Sequence, residues 1–266
     1  MSIRPRHCLA GVAIVTVLAV ACARTPRATV PRGPVRPSGP PRNGLEVIGW
    51  MRATYPSRAL RTLAFSVVNT EPDAETPRPR ARAYAMLPGR MRVDTLPRSA
   101  RSGWIRDRQH LSVFRRGNRV LTASRIDLRT LLTLDVFAQS IDTTIMWLDS
   151  ARVRFALARR AELDGRRVWV VGALEGDTLS TQFWVDAQQW RVVRIIQRDA
   201  RSPNAISDLR FVDYTEILDV PIPTRVQLWR GGRMIDDARY VEFAVNPSLS
   251  SRWFDLTRWR DVRLAD

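Results

Sequence analysis

The stretch 153–198, VRFALARRAELDGRRVWVVGALEGDTLSTQFWVDAQQWRVVRIIQR, decides how this chain folds. Apolar and polar residues alternate with a period of two through 153–163, 168–174, 178–186 and 191–198, the pattern of strands with one buried face. Between these runs stand the turn signals Asp164-Gly165 and Glu175-Gly176-Asp177. Asp-Gly between alternating runs marks a tight hairpin, because the favoured two-residue turn needs positive φ at its central positions. The stretch therefore reads as four antiparallel strands in series.

The same period extends in both directions. Downstream, 208–217, 225–230 and 234–243 read as strands, connected by Val220-Pro221-Ile222-Pro223 and by Gly231-Gly232. Upstream, the runs are 63–70, 80–87, 90–96, 104–106, 110–114 and 119–123, with turns at Leu87-Pro88-Gly89-Arg90 and Arg115-Arg116-Gly117-Asn118. The series amounts to about eleven strands in serial hairpins. Helical spacing appears twice. Leu45, Ile48, Trp50, Met51 and Tyr55 follow the start signal Asn43-Gly44, and a longer apolar series runs from Ile126 to Leu148 with Asp127 as its N-cap. The second series is richer in apolar residues than one helix face requires, so it is expected inside something concave. The fold class is α+β, mainly β: a strongly curved antiparallel sheet forming an open half-barrel, with an N-terminal helix and a mid-chain helical plug on the concave face. Nine Trp, eight Phe and six Met supply bulk for its interior.

Residues 1–44 are of another kind. Two Arg precede the uncharged run 8–21, CLAGVAIVTVLAVA, which has the layout of a secretory signal peptide and is too short to span a bilayer as a helix. Its end, Leu18-Ala19-Val20-Ala21-Cys22, resembles a bacterial lipobox. That resemblance implies cleavage after residue 21 and lipid attachment at Cys22, with palmitate-type acyl chains anchoring the protein. The other cysteine, Cys8, leaves with the signal peptide, so no internal disulfide is expected. Residues 22–44 read as a lipidated Cys followed by a Pro- and Arg-rich tether, and 45–266 as a single domain. Ala23, where an Asp would resemble an inner-membrane retention signal, favours the outer membrane, with the body facing the periplasm.

All 43 basic residues are Arg, against 26 Asp and Glu, for a formal charge of +17. Residues 1–44 hold seven Arg and no acid, which leaves +10 on the body. Arg without Lys points to codon bias more than to a selected polyanion surface, and an exported protein has no routine nucleic-acid partner. Beyond the signal peptide the chain has one His, His110, and it has no Gly-rich phosphate loop, nucleophile elbow or Cys/His cluster. No catalytic residue, metal site or cofactor is therefore expected. Asp236-Asp237 and Asp213 with Glu216 have Arg neighbours and read as solvated ion pairs.

The remaining candidates are apolar. Strand parity turns Phe65, Val67, Met91, Val93, Trp104, Leu111, Val113, Phe183, Val185, Val193 and Ile195 inward, joined by Phe137, Met146 and Trp147 from the plug. These residues either line a hydrophobic cavity or fill a solid core.

Four segments carry a resemblance to a known family: residues 87–94 (LPGRMRVD), 164–169 (DGRRVW), 183–186 with 191–194 (FWVD and RVVR), and 220–224 (VPIPT). Together they resemble the LolA/LolB-like superfamily over about 45–256. The resemblance implies a half-barrel that shelters acyl chains of a lipid or lipoprotein in a hydrophobic cavity without catalysis. It also implies a cavity arginine near the first strands, for which Arg58, Arg61, Arg80 and Arg82 compete. The second reading is a structural or sensory envelope lipoprotein with a packed core that contacts a protein partner; Trp253, Phe254 and Trp259 are either candidate contacts or residues that only dock the terminus.

Overall fold

The computed structural model describes residues 39–56, 58–70, 81–198 and 206–259. The expected signal peptide, Cys22, most of the expected tether and residues 71–80 lie outside the described residues. Thirteen strands form one antiparallel sheet: β1 (Thr62–Thr70), β2 (Ala81–Met86), β3 (Arg90–Thr95), β4 (Gly103–Asp107), β5 (His110–Arg115), β6 (Asn118–Ser124), β7 (Ala158–Leu163), β8 (Arg166–Val171), β9 (Gln182–Asp186), β10 (Val192–Arg198), β11 (Ile206–Ile217), β12 (Val220–Arg230) and β13 (Arg233–Val245). Their order across the sheet is β6-β5-β4-β3-β2-β1-β13-β12-β11-β10-β9-β8-β7. The chain starts in the middle, runs out to β6, crosses to the far edge at β7 and returns to pair β13 with β1. The sheet is curved and open, as the sequence predicts, with thirteen strands where about eleven were counted.

The strand boundaries differ from expectation in two instructive places. Residues 153–157 precede the first strand of the second half, which starts at Ala158. The connector 220–223 is itself the start of β12, pairing Ile222 with Thr215 and Pro223 with Tyr214. Proline is tolerated there because β11 bulges on either side of Asp213, which interrupts the ladder that a proline cannot complete.

Four helical pieces lie on the concave face: α1 (Gly44–Thr54), α2 (Leu128–Thr130), α3 (Val136–Ala138) and α4 (Ile141–Ser150), with a π-helical turn Leu131–Asp135 joining α2 to α3. The start signals work as read: Asn43 Oδ1 accepts the Glu46 N–H at 3.0 Å, and Asp127 accepts that of Arg129 at 3.2 Å. Helix α1 buries Val47, Ile48 and Met51 completely. Its first residue touches the sheet so closely that a Cβ on Gly44 would stand 2.4 Å from Val171 Cγ1. Arg52 ties α1 to the plug by donating to the carbonyls of Val136 and Gln139. Trp50 stacks on Trp190 of the β9–β10 turn, centroids 5.0 Å apart.

The outer face of the β2–β5 region carries its own cover. Tyr84, Ile105 and Phe114 pack against Phe254 and Trp259 of the C-terminal segment. Beneath Trp259 lies Arg92, which is 1% exposed, bonded to Asp94 at 2.6 Å and 4.3 Å from the indole centroid. Gly103 permits this, because a Cβ there would meet Trp259 at 2.7 Å. The C-terminal aromatics thus dock the chain's own end, which removes the reason to read them as partner contacts.

Candidate functional site

The concave face has a filled end and an open end. At the filled end, Leu63, Ala85, Phe183, Val185 and Ile195 are fully buried beneath the helices. One gap between plug and sheet, of about 20 Å³, is bounded by Leu63, Phe65, Thr133, Leu134, Ile222 and Tyr240 among others. That is room for one water at most. Toward the other end of the same strands the helices give out, and a groove of about 570 Å³ opens. Its walls combine Phe65, Val67, Met91, Val93, Trp104, Leu111, Val113, Leu209, Leu228, Ile235 and Tyr240 with the polar or charged Asn69, Thr95, Arg106, Asp127, Arg129, Gln197, Ser207, Arg230 and Asp236. Leu121 stands 43% exposed at its β6 side. The volume lies within the range of single-ligand sites, and an apolar wall with a few polar groups is their usual chemistry.

A second cavity of about 380 Å³ lies between the β2–β3 turn and the plug, lined by Pro88, Gly89, Ile126, Leu131, Asp135, Gln139, Met146 and Trp147 among others. The two cavities share two residues, Arg106 and Asp127. Asp127 is held by its own helix start: it accepts the Arg129 N–H and, at 2.9 Å, the Thr130 hydroxyl. Arg106 Nε and the Arg129 guanidinium stand 3.6 and 3.7 Å from its Oδ2. Burial works to raise the Asp127 pKa, but Arg106, Arg129 and these hydrogen bonds outweigh it, so the carboxylate sits below its ordinary value. Burial likewise opposes the charge on Arg129, yet Tyr240, Asp127 and Asp236 hold that guanidinium above its ordinary value. On the groove floor, Asn69 donates to both Asp236 oxygens at 3.1 and 3.2 Å.

Asp135, on the π-helical turn, behaves differently. It is 5% exposed and accepts the Gly89 N–H at 2.9 Å. Burial pushes its pKa up to about 7, with the nearby charge of Asp127 adding to the shift and the Gly89 bond opposing it. Among the described residues no group of three His, Cys, Asp or Glu could hold a metal ion. No helix of the described residues is long and apolar enough to cross a membrane. The arrangement suits reversible binding of an amphiphile, with apolar walls and a charged cluster at one point.

This geometry has counterparts among solved structures. A DUF1329 family protein from Desulfovibrio piger superposes with a TM-score of 0.53 at 14% identity, covering 80% of this chain and 95% of that one. A domain described as outer membrane lipoprotein-sorting, from Vibrio parahaemolyticus, gives 0.51 at 12% identity, over 81% and 98%. A LolA superfamily protein from Nitrosomonas europaea gives 0.49 at 15%, over 80% and 97%. The fold is that of the lipoprotein-sorting domain and the DUF1329 protein. No protein-family model matches the sequence, and no curated protein does.

Within this fold the sequence-predicted residues separate into groups. Phe65, Val67, Met91, Val93, Trp104, Leu111 and Val113 come together on the groove. Met146 and Trp147 line the second cavity, Met146 being half exposed. Phe137, Phe183, Val185 and Ile195 lie in the filled core. Val193 is on the opposite face, packed with Val168, Val170 and Ala173. A bulge between Val192 and Arg194 breaks the parity of β10, so Val192 and Ile195 point inward in its place.

The sequence leaves the cavity arginine open among Arg58, Arg61, Arg80 and Arg82. Arg61 is exposed, Arg80 lies outside the described residues, and Arg82 points to the outer face, donating to Ser66 Oγ at 3.0 Å. The arginines that line the groove are Arg106, Arg129 and Arg230. A signal for Arg106 existed, since it lies two residues after the inward Trp104 on one strand and must share its face. Asp236 and Asp237 also point to opposite faces: Asp236 lines the groove, while Asp237 is buried and bonded to Arg225 at 2.7 Å.

Proposed function

We propose that this protein is a non-catalytic envelope lipoprotein that shelters an alkyl chain of a lipid or lipoprotein in its open-end groove. The observation that carries the reading is the groove of about 570 Å³ on the concave face, where Phe65, Val67, Met91, Val93, Trp104, Leu111 and Val113 meet. Burying alkyl surface there contributes ~25 cal/mol per Å² of apolar area, enough to drive binding without covalent chemistry. The likeness to a lipoprotein-sorting domain agrees with this reading, and the lipobox-like end at Cys22 supports lipid anchoring on the periplasmic side of the outer membrane.

Fluorescence of cis-parinaric acid added to delipidated protein tests the groove. One saturable site is expected, competed by unlabelled fatty acid and lost in Trp104→Ala with Val113→Asp; absence of saturable binding by the unmodified protein would sink the reading. The anchor is tested apart from it. Cys22→Ser should leave the protein unlipidated and out of the membrane fraction, and a variant still processed and membrane-bound would refute attachment at Cys22.

A further inference from the structure

The ion pair shared by the two cavities is incomplete on one side. Arg106 Nε is buried and has no hydrogen-bond acceptor among the described residues, while its Nη1 donates to the Arg125 carbonyl at 2.8 Å. Asp127 does not satisfy it: the 3.6 Å separation from Oδ2 is too long for a hydrogen bond, and the carboxylate is already held by Arg129 N–H and the Thr130 hydroxyl. A buried donor left without an acceptor is costly, more so on a charged group. Arg106 also cannot turn away freely, because Arg125 fixes one arm and Trp104 flanks the guanidinium, 5.9 Å from ring centroid to Cζ. Other parts of the Arg106 side chain, which is 13% exposed, line both cavities, with Arg129 a second cation on the same carboxylate.

We infer that the ligand is an amphiphile with an anionic head, an oxyanion accepting from Arg106, and an alkyl chain lying along Trp104, Val93, Val113 and Val67. This rests on the groove reading and adds the class of headgroup. Apolar walls alone would take a neutral chain equally well. An oxyanion accepts from the guanidinium of Arg106 where that residue lines the two cavities, and charge-assisted bonds to Arg are among the stronger ones. A carboxylate and a phosphate share this chemistry.

Isothermal titration of the full chain with decanoate, decyl phosphate and decanol separates the alternatives. At least one anion should bind about tenfold to a hundredfold more tightly than decanol, the equivalent of one charge-assisted hydrogen bond. The tighter of the two identifies the head as carboxylate or phosphate. Arg106→Gln should abolish the preference for the anion over decanol, while Arg106→Lys should keep part of it. Decanol binding as tightly as both anions overturns the headgroup inference and leaves the groove standing. Binding of none of the three overturns both. If Arg106→Gln does not fold, the comparison within the unmodified protein still decides, and a preference that survives in a folded Arg106→Gln places the head elsewhere and refutes the assignment.

Discussion

At the filled end of the concave face, Phe183, Val185 and Ile195 are wholly buried under α1 and the plug; at the open end, Val67, Val93 and Val113, inward-facing in their own strands, border a groove of about 570 Å³. The strands supply the same kinds of side chain to both. What differs is the reach of the helices, since α1 and the 128–138 segment cover one end of the half-barrel and stop short of the other. A cavity here is the part of a core that no helix covers, and its walls carry no separate sequence signature.

Substitutions at the two ends should therefore part company. Phe183→Ala removes a fully packed ring where neighbours cannot collapse, and is expected to cost about 3–5 kcal/mol of stability. Urea denaturation measures this, and a loss under about 1 kcal/mol would mean the filled end is looser than described.

Next in size is the pH response at the boundary between the two ends. Asp135 holds its proton up to about pH 7 in the folded protein, against an ordinary value of 3.8 in an unfolded chain. The folded state binds the extra proton, so the contribution of Asp135 to stability is full below about pH 4, falls as pH rises and levels off above about 7. The total loss is up to about 4 kcal/mol at 1.36 kcal/mol per unit. Asp135→Asn, which can still accept from Gly89, should flatten this decline and be the more stable protein at pH 8. Parallel denaturation curves for the two proteins from pH 4 to 8 would exclude the assignment.

The smallest effect on stability belongs to the open end. Val67→Trp adds bulk where a groove already exists and should change stability by less than about 1 kcal/mol, whereas overpacking a filled core costs about 1–3 kcal/mol. Its effect should appear in ligand affinity, reduced at least about tenfold as the chain's space is taken. A large stability loss with unchanged binding would reverse the comparison.

These contrasts also mark how far the sequence can be read. Fold class, both helix caps and the groove faces of β1, β3, β4 and β5 follow from period and turn chemistry, because those strands keep strict alternation. Val193 was lost to a bulge, which leaves no trace in a pattern of consecutive apolar residues at 192 and 193. The distinction between Phe183 and Val67 was illegible because it depends on where a distant helix ends. Asp127 was legible as a cap and hidden as a site residue. Its helix start needs a carboxylate whatever stands opposite, and Arg106 comes opposite only through tertiary packing.

The pairing of β1 with β13 bears on how the molecule is made. Every other strand pairs with its neighbour in sequence, so two meanders can form from local contacts alone. They are joined where Leu63 meets Val245, and Arg61 N–H reaches Asn246 Oδ1 across 185 positions of chain at 2.8 Å. Closing so long a loop is the slow, entropically demanding step of such topologies. A chain emerging from a ribosome or a translocation pore in N-to-C order cannot complete its sheet until the last strand is out. Until then β1 presents a free edge in what will become the centre of the sheet, and the half-built protein is most vulnerable to mispairing in that interval.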